Sequence, residues 1–165
     1  MKSGKNESKK NSSNNKEGPY IRDGRCPFPS SIAISRVMSA NKGRDTGPEL
    51  RLRRALWMSG RRGYRTNIKR LPGSPDIVFS RKRLAIFVHG CFWHRCPKCK
   101  PSSPKSNPDF WMKKFERNEE RDARKLEELN SLGWRTIVVW ECEIRSNLGI
   151  VVSRIDRAME EQDVR

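Results

Sequence analysis

The chain has 165 residues, the size of one ordinary domain with a tail to spare, and sets 36 Lys and Arg against 19 Asp and Glu, a formal net charge of +17. That excess calls for a polyanionic partner. Nucleic acid suits it better than a membrane, because the basic residues run through the expected elements and no apolar run approaches the ~18 residues a membrane span needs. Five cysteines with no apolar secretory segment fit a reducing interior, where clustered cysteines are more often metal ligands than disulfides, and an odd count suits four ligands with one left over.

Residues 1–30 read as a disordered basic arm and 31–165 as the folded domain. Up to Tyr20 the chain is mostly Lys, Ser and Asn without apolar period, so it cannot bury enough surface to offset the entropy of ordering. Cys26, in the proline-broken "RCPFPS", is the expected odd cysteine. A short helix is expected around Ile34 to Ala40, ending before Gly43. Thr46-Gly47-Pro48-Glu49 then marks a helix start, with Thr46 as N-cap, proline in the first turn and Glu49 placed to close a capping box. Leu52, Ala55 and Leu56 follow on one face, and Gly60 ends the helix. Eleven Lys or Arg against two Asp or Glu between Ser35 and Pro72 mark this half as the one that faces phosphates.

Three strands are expected next, at 64–68, 76–79 and 84–89, the last two joined as a hairpin through "SRKR". Asn107-Pro108-Asp109 opens a long helix that Gly133 terminates. "WRTIVVWE" (134–141) reads as a buried strand, and Leu148, Val151, Val152 and Ile155 mark a last amphipathic helix. The order implies an α/β domain with a mixed sheet flanked by helices.

Three constellations carry chemistry. Cys91, Cys96 and Cys99 lie in one loop, and the fold can return Cys142 to them from a strand end; four thiolates in tetrahedral array suit a structural zinc. His94, two residues from Cys96, competes with it as a ligand, and Cys142 can also be read as an ordinary buried thiol. Asp76 opens one strand of the hairpin and His89 ends the other, so they can meet at one sheet edge, where a hard cation on Asp76 polarises a phosphate and a histidine moves protons. By itself, Asp76 would be a turn residue. On the long helix, Trp111, Phe115, Asn118, Asp122, Leu126 and Leu129 share one face, so Asn118 and Asp122 interrupt an apolar stripe and need polar partners, unless that stretch of the helix protrudes into solvent. Phe92, Trp93 and Trp111 serve either as core around the metal or as a wedge between base pairs.

The stretches "LPGSPDIVF", "IFVHGCFWH", "PDFWMKKFERNEERDARKLEELNSLGW" and "IVVWEC" resemble, in order and spacing, the very-short-patch-repair (Vsr) DNA mismatch endonucleases, and "SRVMSANKGRDTGPELRLRRAL" is similar to their N-terminal region. The resemblance implies a restriction-endonuclease-like fold with a structural zinc. It implies a magnesium-dependent nick 5′ to the thymine of a T·G mispair in double-stranded DNA, the product of 5-methylcytosine deamination. A cytosine-5 DNA methyltransferase is the implied genetic partner, and a bacterial, cytoplasmic, nucleoid-associated monomer the implied setting.

Carried over by position, Asp76 is the catalytic carboxylate, sharing magnesium with the backbone carbonyl of Val88. His94 is the general base, and His89 its neighbour near the scissile phosphate. Asp122 and Glu49 are acidic residues in or beside the site. Phe92, Trp93 and Trp111 match the wedge, with Met38 entering from the opposite groove. Cys91, Cys96, Cys99 and Cys142 match the zinc ligands. The chain departs from the best-known members in having Cys96 where they place a histidine, with one more residue before the next cysteine, which makes the zinc site all-thiolate and frees His94. The arm before Ser31 has no counterpart, and the match weakens after Leu148. Two other expectations stand beside this one: a restriction or junction-resolving nuclease of the same fold, and a non-catalytic, zinc-stabilised DNA-binding protein.

Overall fold

A computed structural model of the chain describes residues 42–160, Arg36, and the backbone of two short strands, β1 (Ile21–Arg22) and β2 (Cys26–Pro27), which pair antiparallel. The rest of the expected arm, the side chain of Cys26, Met38 and all of the expected helix around Ile34 to Ala40 except Arg36, which is helical, lie outside the described residues.

The centre is a three-stranded sheet in the order β3 (Ile77–Phe79), β4 (Leu84–His89), β5 (Arg135–Trp140). The hairpin forms as its sequence suggests: β3 and β4 pair antiparallel, Ile77 opposite Ile86 and Phe79 opposite Leu84. A single 3-10 turn over Ser80–Lys82 connects them, closed by Arg83 in the left-handed region at φ 41°. β5 lies parallel to β4 from Leu84↔Arg135 to His89↔Trp140. Parallel pairing needs a crossover, and the long helix α2 (Pro108–Ser131) supplies it.

The expected strand at 64–68 is corrected to one isolated bridge, Arg65 to Val78, with N···O distances of 2.9 and 2.8 Å. Asn67 turns the chain into the left-handed region at φ 49°, which stops the pairing there. What remains of the expected stretch is Tyr64, whose ring sits edge-on to Phe79 at 5.7 Å.

Period-two alternation along β4 sends its side chains to two different cores. Leu84 and Ile86 join Ile77, Phe79 and Val139 beneath Leu52 and Leu56 of α1 (Gly47–Met58), Ile144 of α3 (Glu141–Ser146), and Val151, Ile155 and Met159 of α4 (Leu148–Glu160). Ala85 and Phe87 pack on the other face with Leu129 of α2, Leu71, Leu126 and Trp134. A strand covered on both faces needs the near-continuous apolar run that "LAIFV" provides. Leu52, Leu56, Leu84, Ile86 and Leu129 are all fully buried, and each contributes roughly 1.5–3 kcal/mol of apolar burial.

The helix ends decide what reaches the site. α1 starts after Thr46 as expected, but the capping box does not form: the Thr46 hydroxyl donates to Glu49 at 2.8 Å instead of capping the helix, and the Glu49 carboxylate accepts the N–H of Asp45 at 2.9 Å. α2 ends in a turn at Gly133, φ 75°, where a Cβ would lie only 2.9 Å from Nη1 of Arg83. β5 stops at Trp140, one residue earlier than expected, because Glu143 accepts the Trp140 N–H at 2.8 Å and starts α3. Cys142 is therefore the second residue of a helix and not the end of a strand.

Candidate active site

Parallel pairing of β4 with β5 brings His89 beside Trp140, so the loop leaving β4 and the helix following β5 emerge side by side. That adjacency gathers the four cysteines. The Sγ atoms of Cys91, Cys96, Cys99 and Cys142 all lie within 4.8 Å of one another, with Cys96 and Cys142 at 3.7 Å. A tetrahedron of sulfurs ~2.3 Å from one ion has edges of about 3.8 Å, so the cluster could hold a metal with little movement. All four cysteines are free thiols.

The loop is wound by backbone bonds from His94 to Gly90, Cys96 to Cys91 and Lys100 to Cys96, with Arg95 and Lys100 in the left-handed region. Burial pushes the Cys91 and Cys142 thiols up. At Cys96 burial pushes the same way, but the N–H groups of Cys99 and Lys98 outweigh it and hold that thiol below its ordinary value. His94, the rival ligand, stands apart from these sulfurs, grouped with His89 and Asp122.

A cleft of about 1190 Å³ opens beside this loop, and Glu49, Asp76, Val88, His89, Trp93, His94 and Asp122 all line it. Asp76 leaves the loop behind the buried Pro75 and accepts the N–H of Val88 at 2.7 Å, which ties the start of β3 to the end of β4. Its carboxyl is pushed up to about 6, first by burial and then by the charge of Glu49, against the Val88 hydrogen bond.

His89 is buried at the end of β4, between Trp140 edge-on at 5.4 Å and His94 stacked at 4.0 Å with ring planes 13° apart. Burial, and then the neighbouring His94, push it down to about 4, so it is neutral near pH 7. His94 turns its Nδ1 to an oxygen of Asp122. Burial pushes the Asp122 carboxyl up, but the bond from His94 and its charge outweigh it and keep the carboxylate ionised. An ionised carboxylate takes the proton-bearing nitrogen, so Nδ1–H donates to Asp122 and the lone pair of His94 is left on Nε2. The imidazole is oriented as a base.

The polar interruptions in the α2 stripe thus have partners, and they differ. Asp122 holds the histidine, whereas Asn118 donates to the carbonyl of Trp93 at 3.0 Å and accepts from Arg121 at 3.0 Å, so it pins the loop's backbone. The aromatics form one cluster: Phe92 lies 5.0 Å from Trp93, 5.6 Å from Trp111 and 5.4 Å from Phe115. Trp111 is buried within it, while Phe92 and Trp93 are half-buried. Arg95 lies over the Phe115 ring at 4.6 Å.

Glu49 lines the cleft yet is 4 % exposed, its oxygens taken up by Asp45, Thr46 and the guanidinium of Arg53. Arg53 was not singled out in the sequence, although its i, i+4 spacing from Glu49 on a helix is a usable signal. Arg121, which lines the cleft beside Asp122, was missed as well.

Comparison with known proteins gives a consistent picture. The family described as "DNA mismatch endonuclease Vsr" matches residues 32–100. A type II nicking enzyme, V.NmeAIP, of Neisseria meningitidis serogroup A is 43 % identical over 125 residues, covering 76 % of this chain and 88 % of that protein. V.XorIIP of Xanthomonas oryzae pv. oryzae, another type II nicking enzyme, is 43 % identical over 124 residues, 75 % of this chain and 90 % of its own length. The DNA mismatch endonuclease Vsr of Escherichia coli strain K12 is 38 % identical over 127 residues, 77 % of this chain and 81 % of the relative.

Proposed function

Because the chain belongs to the Vsr family of DNA mismatch endonucleases and is therefore a DNA endonuclease, we propose that it nicks one strand of double-stranded DNA 5′ to the thymine of a T·G mispair, with magnesium in the cleft and zinc in the cysteine cluster. The observation that carries this reading is the pairing of His94 with Asp122 in the same cleft as the half-buried carboxylate of Asp76. The antiparallel hairpin with its acid at one strand start, the parallel third strand and the flanking helices support a restriction-endonuclease-like fold. Relatives named as nicking enzymes favour a single-strand cut, for which a monomer suffices.

In this mechanism His94 takes a proton from the attacking water at Nε2, and Asp122 stabilises the imidazolium that results. His89, neutral and buried, meets the scissile phosphate without adding a charge that would compete with His94 for protons. Asp76 and the main-chain carbonyl of Val88 are the groups that would hold magnesium, which when bound would supply positive charge to offset the negative charge developing on the phosphate and the departing 3′ oxygen. The products are a 5′ phosphate and a 3′ hydroxyl. Phe92 and Trp93 enter the stack beside the mispair, Trp111 supports them from behind, and Met38 approaches from the opposite groove. Zinc on the four thiolates fixes the loop that carries both the wedge and the base.

T·G mispairs arise where 5-methylcytosine deaminates, so the functional partner is a cytosine-5 DNA methyltransferase. No described helix is long and apolar enough to cross a membrane. The test is incubation of the purified protein and magnesium with matched, T·G-mismatched and branched duplexes. A nick confined to the thymine strand of the mismatched duplex is expected. Cutting of the matched or branched duplex instead, or binding without cutting, would overturn the reading.

A further inference from the structure

Arg53 is an unexplained charge set behind the cleft, bonded to residues that line it without lining it itself. Its side chain is only 11 % exposed, although a guanidinium is costly to bury and this one leaves Nε without a partner among the described residues. The remaining contacts all run toward the site. Nη1 meets the Asp45 carboxylate, and Nη2 donates to Glu49 at 2.9 Å and, at 3.4 Å, to the main-chain oxygen of Asp76. The Arg53 carbonyl accepts the Tyr64 hydroxyl at 3.2 Å, so its own backbone is fixed from the far side.

One cation thereby joins the first turn of α1 to the residue that opens β3, twenty-three positions later in the chain. It contacts the Glu49 carboxylate and the main-chain oxygen of Asp76, and the carboxylates of these two cleft residues repel one another. Leu52 and Leu56 pack α1 onto the sheet through the apolar core, whereas the Arg53 guanidinium turns to Asp45, Glu49 and the main chain of Asp76.

We propose that Arg53 is a positioning residue of the active site: its fork fixes the Glu49 carboxylate against the main chain of Asp76 and offsets the negative charge that this pair presents to a divalent cation. The inference rests on the reading of Asp76 as the cation ligand. It separates two effects that loss of structure would merge. Removing the cation strengthens attraction for a divalent ion, while freeing the Asp76 loop spoils the alignment on which the reaction rate depends.

The experiment uses the full chain and two readouts: binding of Mn²⁺ to the DNA-free protein, followed by the paramagnetic resonance of free Mn²⁺, and single-turnover nicking of a T·G duplex. Arg53→Gln should bind Mn²⁺ roughly tenfold more tightly yet nick roughly tenfold or more slowly. Arg53→Lys should return Mn²⁺ affinity to near that of the parent but recover only part of the rate, because an ammonium cannot reproduce the fork. If Arg53→Gln does not fold, the charge-balanced Glu49→Gln/Arg53→Gln pair decides, with Mn²⁺ affinity near the parent's and a low rate expected. A parental rate in either glutamine variant, or Mn²⁺ binding that weakens in step with the rate, overturns the proposal. Failure of the parent protein to nick the T·G duplex would instead break the functional reading, while the Mn²⁺ measurement would still decide what the Arg53 charge does.

Discussion

The cysteine cluster and the cleft sit at the same end of the sheet, a few residues apart along one loop, and they are constructed on opposite terms. In the cluster the sulfurs are close to one another, and the one backbone donor on Cys91, the N–H of Cys142 at 3.4 Å, comes from another member of the group. It is a closed set that satisfies itself once a cation is present. In the cleft the groups are held one by one, each by a different element: Asp76 by the Val88 N–H of β4, Asp122 by the ring of His94, Glu49 by Arg53. Each keeps an edge toward open space. The difference teaches that one region is an anchor and the other a workplace, and that a stable anchor lets the workplace carry poorly matched charges.

If that division is right, damage to the anchor should be the most severe and the least selective. Cys96→Ser removes a ligand that is 1 % exposed and frees the loop carrying Phe92, Trp93 and His94. Loss of bound zinc, a melting temperature lower by an amount worth several kcal/mol, and loss of nicking should occur together. Unchanged zinc content and melting would remove Cys96 from the cluster. Asp76→Asn should do the reverse: abolish nicking while making the magnesium-free protein more stable. The Asp76 carboxyl is raised in the folded state from 3.8 to about 6, so its contribution to stability is present below about pH 4 and is lost as pH rises through 6. The asparagine variant avoids that loss, so its advantage should grow between those two pH values and reach roughly 1–2 kcal/mol at neutral pH once solvent screening is allowed for. Thermal melts across that range, without magnesium, measure it, and a variant less stable at every pH would show that Asp76 is there to hold the hairpin.

The same contrast explains what was legible in the sequence. The cluster was readable because three of its members fall within nine residues, and the α2 stripe because a single helix fixes which residues share a face. The run in β4 signals burial on both sides. The Glu49 arrangement was readable only in part, through the i, i+4 spacing of Arg53. Thr46-x-x-Glu49 is a sound capping-box pattern, yet Arg53 and the Asp45 N–H take the Glu49 carboxylate instead. The further contact of Arg53 to the main chain of Asp76 forms only once α1 docks on the hairpin, and no local pattern signals it. The strand expected at 64–68 failed for a similar reason: apolar and β-branched content favoured it, but the left-handed turn at Asn67 takes the chain away from the sheet after one bridge. Phe92, Trp93 and Trp111 were recognised as a group, while their division into a buried Trp111 and half-buried Phe92 and Trp93 depends on tertiary packing.

Within the cleft, the His94–Asp122 pair should matter less than Asp76 but more than any contact that only positions the loop. Asp122→Asn keeps the shape and can still bond to Nδ1, but it no longer fixes the tautomer or stabilises an imidazolium. The nicking rate should fall by roughly 10²–10⁴, with duplex affinity within about threefold of the parent. A fall of less than tenfold would argue that water is activated elsewhere.

The smallest effect tests the seam between anchor and workplace. Asn118 is the residue through which α2 holds the backbone of the cysteine loop, by one bond to the Trp93 carbonyl. Replacing it with alanine leaves that carbonyl half-buried and without its donor, and releases Arg121 from its 3.0 Å tether. The loss in stability should be about 1 kcal/mol, that of a single hydrogen bond, because the cysteine cluster still gathers the loop. Zinc content should not change. What should change is discrimination: with Trp93 less firmly placed, the preference for a T·G over a matched duplex should narrow several-fold in affinity while the single-turnover rate on the mispair falls by less than about tenfold. Competition binding with the two duplexes reads the first quantity and nicking the second. A variant that loses zinc or melts far lower would mean that the loop depends on α2 for its fold, and the separation between an anchor and the site it serves would have to be given up.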